Sequence, residues 1–229
     1  MHKYIYLKKT VVYTILAMIL IVCCVGCSKD NSTTTEDEVK AITRTYSIAV
    51  DCVLTEEEIN EIVEVISNRV SYYDVDGKVT LKDIDANGNP FIEISIAYGT
   101  DEEVFDRLTC QGMLYFISDY DTDEEKIWLG NENINKIEAK IVENMYTEYI
   151  VEIIFDKRGG EIFEECTTAL TGEQLYIVYD DQVLLAPTIV EPVPDGVTII
   201  NNFESFEDAE EFAMTIESGT LEYKLDNVN

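Results

Sequence analysis

The sequence predicts an α+β fold made of two successive sheet-and-helix units. Three observations support this prediction. Apolar and polar residues alternate in short segments of both halves, apolar residues recur at helical spacing between those segments, and an acidic run, residues 119–125, separates the halves. The chain has 229 residues, of which 46% are hydrophobic, and this supply of apolar side chains excludes a disordered acidic tail.

The first unit combines four predicted strands with two predicted helices. Residues 46–54 alternate and predict a strand, and Thr55 followed three positions later by Glu58 is a capping-box pattern that opens a helix. A second capping box, Thr100 with Glu103, opens a shorter helix. The other strands are predicted at 79–84, 91–97 and 112–117. This β-α-β-β-α-β order, with antiparallel pairing, is the ferredoxin-like arrangement.

The second unit contains further strands and two further helices. We interpret the acidic run 119–125 as a subdomain boundary, because so many charges cannot be buried. Asp156 is expected to cap one helix, Ser205 to open the last helix and Gly219 to end it. The strands of this unit are predicted at 137–145, 149–155, 174–179, 183–186, 196–200 and 221–225.

The N-terminus has the pattern of a secretory signal. Three lysines precede an apolar run, residues 11–26, and Cys27 follows it. The end of this run resembles a bacterial lipobox, so we predict a lipoprotein signal peptide over residues 1–26, lipidation of Cys27 and a flexible acidic tether over residues 27–44. An uncleaved anchor helix is the alternative, although the run is slightly short for a membrane span. Either form leaves the body outside the membrane and attached to it.

The charge balance excludes several function classes. The chain has 16 basic and 46 acidic residues, and its net charge of −30 repels nucleic-acid phosphates. The single histidine, His2, lies in the signal, so the body offers neither a histidine base nor a histidine ligand for zinc. We therefore expect no catalytic residue, no cofactor and no metal site. Three cysteines lie in apolar patterns and are predicted to be buried free thiols: Cys52, Cys110 and Cys166.

The order of short motifs along the body resembles a known family. Phe155, Gly159, Phe163 and Thr167 recur at four-residue spacing, and Asn68-Arg69-Val70 follows the first helix. The further motifs, in order, are 128–130, 175–178, 183–187, 191–192, 201–203 and 219–221. This series spans almost the whole body and is similar to the large extracytoplasmic domain of SecD, the accessory subunit of the bacterial protein-export channel.

The resemblance implies a base subdomain with an inserted, mobile head subdomain. The base would be ferredoxin-like and comprise residues 45–125 and 201–225, and the head would be an α+β insertion over residues 126–200. In SecD the head is thought to hold the emerging polypeptide. The resemblance therefore implies a role that is accessory to export and not enzymatic. The expected partners are unfolded exported polypeptide and the Sec channel, and the expected location is the extracytoplasmic face of the cell membrane, through the lipid anchor.

This chain also departs from the family pattern. After residue 26 it has no apolar run long enough to cross a membrane, so we expect a stand-alone module without the family's membrane helices. The glycine that the family has before the last helix is Asn201 here, a residue that tolerates a positive φ. A second hypothesis is therefore an envelope lipoprotein that keeps the fold and acts as a ligand-binding or structural module. Calcium could order its acidic loops, although the EF-hand-like pattern over residues 83–89 is interrupted at Pro90.

One hairpin is a candidate polypeptide-binding site. Residues 175–190 carry four large side chains near the far end of the expected head: Tyr176, Tyr179, Leu184 and Leu185. A free sheet edge can add an extended peptide as a further strand, with main-chain hydrogen bonds that need no particular sequence. The alternative is that these side chains belong to the core of the head.

Overall fold

The computed structural model describes residues 41–73, 76–97, 103–122 and 125–228. The predicted signal peptide, Cys27 and most of the tether lie outside these ranges, as does Thr100 of the second predicted capping box. Within the described ranges, no helix has both the length and the apolar character needed to cross a membrane.

Eleven strands, four helices and one 3-10 turn make up the described part of the chain. The strands are β1 (Ala41–Ile48), β2 (Gly77–Ile84), β3 (Pro90–Ala97), β4 (Leu114–Ser118), β5 (Lys126–Leu129), β6 (Ile134–Glu143), β7 (Thr147–Phe155), β8 (Tyr176–Tyr179), β9 (Gln182–Leu185), β10 (Val197–Phe203) and β11 (Leu225–Asn227). The helices are α1 (Glu56–Tyr72), α2 (Val104–Thr109), α3 (Lys157–Ala169) and α4 (Phe206–Glu217), and the 3-10 turn is Asn131–Asn133. The predicted strands β1 and β11 are displaced by several residues. Helices α1, α3 and α4 begin where their capping residues predicted. Helix α2 begins at Val104, after Glu103, whose side chain forms no capping hydrogen bond.

The first sheet has the strand order β11-β1-β3-β2, and every neighbouring pair is antiparallel. Its core is shared with α1 and α2, through buried side chains such as Ile66, Ile94 and Phe105. Helix α1 begins at the predicted capping box: the Thr55 hydroxyl accepts a hydrogen bond from the Glu58 N–H at 3.2 Å, and the Glu58 carboxylate accepts one from the Thr55 N–H at 2.7 Å. These reciprocal bonds satisfy two donors that a helix start leaves free.

The second sheet has the order β5-β4-β8-β9, so β4 does not join the first sheet as the predicted β-α-β-β-α-β unit required. Leu114, Phe116 and Ile117 on β4 are all at most 4% exposed, so both faces of this strand are covered. The main-chain donors and acceptors of a buried strand need hydrogen-bond partners at both edges, and β5 and β8 provide them. The place beside β1 is taken by β11. The acidic run, which we expected to be a boundary, connects the paired strands β4 and β5.

The third sheet has the order β10-β7-β6 and packs against α3 and α4. Asp156 caps α3 as predicted, because its carboxylate accepts a hydrogen bond from the Gly159 N–H at 2.6 Å. Ser205 opens α4 in a capping box with Asp208. The resemblance to SecD implied that α4 belongs to the base. The apolar side of α4 enters the core that the second and third sheets share, through Ala209, Phe212, Ala213 and Ile216.

The three cysteines of the described chain are free, and one of them is not where we predicted it. Cys166 is buried and Cys110 is half-buried, whereas Cys52 is exposed. Cys52 lies in the loop after β1, which ends at Ile48 rather than continuing to residue 54. The main chain of that loop is fixed to the β2-β3 turn, because the Asn89 side chain donates a hydrogen bond to the Cys52 carbonyl oxygen at 2.8 Å.

Candidate functional site

The β8-β9 hairpin ends the second sheet at a tight turn. Asp180 and Asp181 both have positive φ, 45° and 66°, which is the backbone that a two-residue hairpin turn requires. The Asp180 carboxylate accepts hydrogen bonds from the N–H groups of Gly112, at 3.1 Å, and Met113, at 2.8 Å. These bonds fix the hairpin to the start of β4. Strand β9 is the outer strand, and within the described residues no further strand pairs with its free edge.

The two predicted tyrosines do not share one surface. Tyr176 and Tyr179 lie three positions apart on β8, and side chains an odd number of residues apart face opposite sides of a sheet. Tyr176 stacks on Tyr120, with 5.5 Å between the ring centroids, and donates its hydroxyl to Gln174 at 3.1 Å. Tyr179 packs against Phe212 in the core, with centroids 4.9 Å apart, and burial raises the pKa of its hydroxyl. Tyr179 is therefore a partly buried residue that packs against the core.

The two predicted leucines have different surroundings. Leu185 is paired with Ile177 and Val183 with Val178, so Leu184 is an extra residue in a β-bulge. Leu184 is 38% exposed at the free edge of the sheet. Leu185 is half-buried and packs against the core formed by the second and third sheets. Of the four predicted residues, Leu184 is thus the most exposed at the edge, and Leu185 points toward an adjacent groove.

This groove, which we name the Leu185 groove, has a volume of about 460 Å³. Its apolar walls are Tyr149, Leu185 and Phe203, from three different strands. The remaining lining residues are polar: Thr147, Glu148, Asn201, Asn202 and Glu204. The pairing of β10 with β7 is irregular between Ile200 and Phe203, which allows Tyr149 and Phe203 to stand opposite each other. Asn202, next to the predicted Asn201, is the residue that adopts the positive φ, 83°.

The sequence reasoning missed this groove. Its apolar walls, Tyr149, Leu185 and Phe203, come from separate strands and are far apart in the chain, so no local spacing relates them. The one local signal was the asparagine pair 201–202, whose tolerance of positive φ indicates an irregular backbone.

The tip of the β6-β7 hairpin lies next to the same groove. Met145 is 90% exposed and Tyr146 is 78% exposed, and the next residue, Thr147, lines the groove. Exposed large apolar side chains next to a groove are typical of an interaction surface. The free β9 edge, the Leu185 groove and this tip together form the candidate site.

A second and larger cleft, of about 520 Å³, lies where β4, β6 and the end of α4 meet. Met113, Tyr115, Ile137 and Ile216 are among its lining residues. Sequence analysis did not predict it, because it too joins segments that are distant in the chain.

The EF-hand-like segment 83–89 forms the turn between β2 and β3. The Asp85 carboxylate accepts hydrogen bonds from the N–H groups of Asn87, at 2.8 Å, and Asn89, at 2.9 Å. The Asn89 side chain is buried and accepts a hydrogen bond from the Leu54 N–H. Two of its oxygen-bearing side chains therefore hold the turn together. Among the described residues, no group of three or more cysteine, histidine or acidic side chains is arranged to hold a metal ion.

Comparison with known proteins places this site within a recognised segment. The family model described as "SecDF, P1 head subdomain" matches residues 120–223, which include the β8-β9 hairpin and all lining residues of the Leu185 groove. The protein translocase subunit SecD of Calditerrivibrio nitroreducens is 27% identical over 201 residues, and the match covers 71% of this chain and 38% of that protein. This chain is similar to the SecD extracytoplasmic domain.

Another SecD protein and solved SecDF structures are also similar to this chain. SecD of Dictyoglomus turgidum is 25% identical over 168 residues, which cover 73% of this chain and 40% of that protein. The crystal structure of SecDF in its super-membrane-facing form has a TM-score of 0.66 to this chain, and the match covers 82% of this chain and 29% of that one. A second SecDF structure has a TM-score of 0.63 and is covered to 98%. Both SecDF structures are 19% identical in sequence to this chain and share its fold.

This chain spans about two fifths of the length of these SecD relatives. The fold that it shares with SecDF is a mixed α+β fold with antiparallel sheets, as the sequence predicted. Three of the SecD-like motif residues have structural roles in this chain. The rings of Phe155 and Phe163 pack in the core with their centroids 5.0 Å apart. Gly159 is buried between Phe155 and Asn133 of the 3-10 turn.

Proposed function

We propose that this chain is a non-enzymatic accessory module of protein export that binds emerging polypeptide outside the membrane. The observation that carries the proposal is the free β9 edge inside the segment that matches the SecDF P1 head subdomain. The second SecDF structure is described as that of a membrane component that enhances protein export. The Sec channel is the corresponding partner that we propose for this chain.

The binding mode that we propose is addition of an extended peptide to β9. An outer strand leaves every second main-chain N–H and C=O group without a strand partner, and an extended peptide can satisfy them irrespective of its sequence. The bulge at Leu184 interrupts the regular ladder and limits the length of paired peptide. Weak, sequence-tolerant binding suits a module that must hold and release many different chains.

We propose further that the domain consists of a ferredoxin-like base and an inserted head. The order β11-β1-β3-β2 supports the base, since the fourth ferredoxin-like strand stands beside the first, and β11 takes this place. The shared core of the second and third sheets supports a head that also includes β4 and α4. On this proposal the head extends beyond residues 126–200 on both sides, and the chain passes between base and head near Gly112 and Gly219.

We propose lipidation of Cys27 as the means of membrane attachment, with residues 27–44 as the tether. The net charge of −33 that remains after residue 26 supports a body that stands away from an anionic membrane surface. Labelling of the expressed protein with a radioactive fatty acid tests this step. A Cys27→Ser variant should lose the label, and a labelled variant would contradict the assignment.

Site-specific photocrosslinking during export tests the function. A photoreactive residue at Val183, which is 41% exposed on the outer strand β9, should crosslink to an exported protein stalled in the channel. Leu81 is the matched control, because it is 45% exposed on β2, the outer strand of the first sheet. Equal crosslinking from both positions, or none from Val183 in cells that express the protein and stall the substrate, would contradict the proposal.

A further inference from the structure

We propose that the Leu185 groove receives a lysine or arginine side chain of the bound polypeptide, so that this chain prefers basic segments. The inference rests on the proposed polypeptide binding and adds the chemical class of the segment that is bound.

The walls of the groove fit the stem of a long basic side chain. Tyr149, Leu185 and Phe203 present apolar surface, and Phe203 is supported from behind by Phe212, with ring centroids 5.5 Å apart. Lysine and arginine cover such surface with their methylene groups while the charged end remains at the rim. Aromatic walls also attract a cation that lies over the ring face.

The charges of the groove select a cation. Glu148 and Glu204 are the two charged residues of its lining, and both carry a negative charge. Within the described chain, neither carboxylate forms a salt bridge or a side-chain hydrogen bond. By contrast with Glu148 and Glu204, the carboxylates of Glu138 and Glu152 on the third sheet both form salt bridges with Lys140. A cationic partner would therefore complete the groove without displacing an existing partner.

The position of the groove links this preference to the proposed strand addition. Leu185 is both the last residue of β9 and a wall of the groove, so a peptide paired with β9 passes the groove entrance. The strongly negative net charge of the chain raises the local concentration of basic segments near the protein as a whole. The groove adds a specific position at which one basic side chain is recognised.

Binding of labelled unstructured peptides, followed by fluorescence anisotropy, tests the inference. Two peptides of identical sequence differ in two central residues, which are lysine in one and glutamine in the other. We expect the unmodified protein to bind the lysine peptide about fivefold more tightly than the glutamine peptide at low salt, the size expected for an exposed ion pair. The double variant Glu148→Gln/Glu204→Gln should lose this preference and still bind the glutamine peptide.

The matched control separates the groove from the general field of the protein. Glu61→Gln/Glu64→Gln removes the same number of charges from exposed positions on α1, and it should keep the preference. If both double variants lose the preference equally, or if the groove variant keeps it, the groove is not the site of selection. If the unmodified protein binds both peptides equally, this inference fails while polypeptide binding stands. If it binds neither peptide, the proposed function fails as well.

Discussion

The Nη2 atom of Arg69 donates a hydrogen bond to the main-chain carbonyl of Gly219 at 2.9 Å, across 150 residues of sequence. Arg69 lies on α1 and is completely buried. Its other oxygen partners lie at the ends of α2 and α4: the carbonyls of Leu108, Cys110 and Gln111 and the hydroxyl of Ser218. These partners lie in or beside the two segments that connect the first sheet with the other two sheets, near Gly112 and Gly219. The Arg69 guanidinium group therefore binds both connecting segments to α1.

Replacement of Arg69 by methionine should strongly destabilise the fold. The substitution leaves several buried carbonyl groups without a donor, and we expect the free energy of unfolding to fall by about 3 kcal/mol. Urea denaturation followed by circular dichroism measures this change. Arg158→Met is the control, because Arg158 is exposed on α3 and its replacement should change stability by less than about 0.5 kcal/mol. Similar midpoints for both variants would contradict the role assigned to Arg69.

The local elements of this fold are predictable from the sequence because their signals are local. Thr55 with Glu58, Asp156 and Ser205 each mark a helix start through bonds within three residues, and each prediction is confirmed. Apolar alternation likewise located the hairpin strands β2 and β3, and β8 and β9. These features depend on residues that are close together in the chain, so they can be identified from the sequence without knowledge of the fold.

The choice of partner for a strand is not local, and there the sequence prediction failed. The apolar pattern of β4 suits pairing with β1 and with β8 equally well, and in the folded chain β4 pairs with β8. The Leu185 groove is a further example, since its apolar walls come from β7, β9 and β10. The hairpin position of the candidate site was predictable, whereas the groove beside it required the assembled sheets.

Gly159 should not tolerate a larger side chain, although its neighbour Gly160 should. A Cβ atom at Gly159 would lie 2.8 Å from the Asn133 carbonyl oxygen and 3.0 Å from the Cβ of Phe155. We expect Gly159→Ala to lower the free energy of unfolding by about 1–3 kcal/mol through overpacking. At Gly160 the nearest atom would be 3.5 Å away, so Gly160→Ala should be neutral or stabilise α3 by up to about 1 kcal/mol. Thermal unfolding of the two variants distinguishes them, and equal melting temperatures would contradict the packing argument.

The three described cysteines should differ in their reactivity. Burial raises the pKa of Cys166 to about 12 and also raises the pKa of Cys110, so both remain protonated near neutral pH, and the thiolate is the reactive form. Cys52 is exposed and should be alkylated first by iodoacetamide at pH 8. Mass spectrometry of the digested protein measures labelling at each position. Unfolding in urea is the control, because all three thiols should then react at similar rates, and fast labelling of Cys166 in the native protein would contradict the described core.

An acidic substitution at the sheet edge should separate binding from folding. Leu184→Asp places a charge at an exposed bulge, so the fold should persist while an apolar contact with the added peptide is lost. We expect peptide affinity to fall about fivefold, equivalent to roughly 1 kcal/mol, with an unchanged melting temperature. Tyr179→Asp should instead unfold the second sheet, because it would bury a carboxylate beside Phe212. Leu81→Asp, on the outer strand of the first sheet, is the matched control for Leu184 and should leave affinity unchanged. Unaltered binding by a folded Leu184→Asp protein would remove the β9 edge as the site of peptide addition.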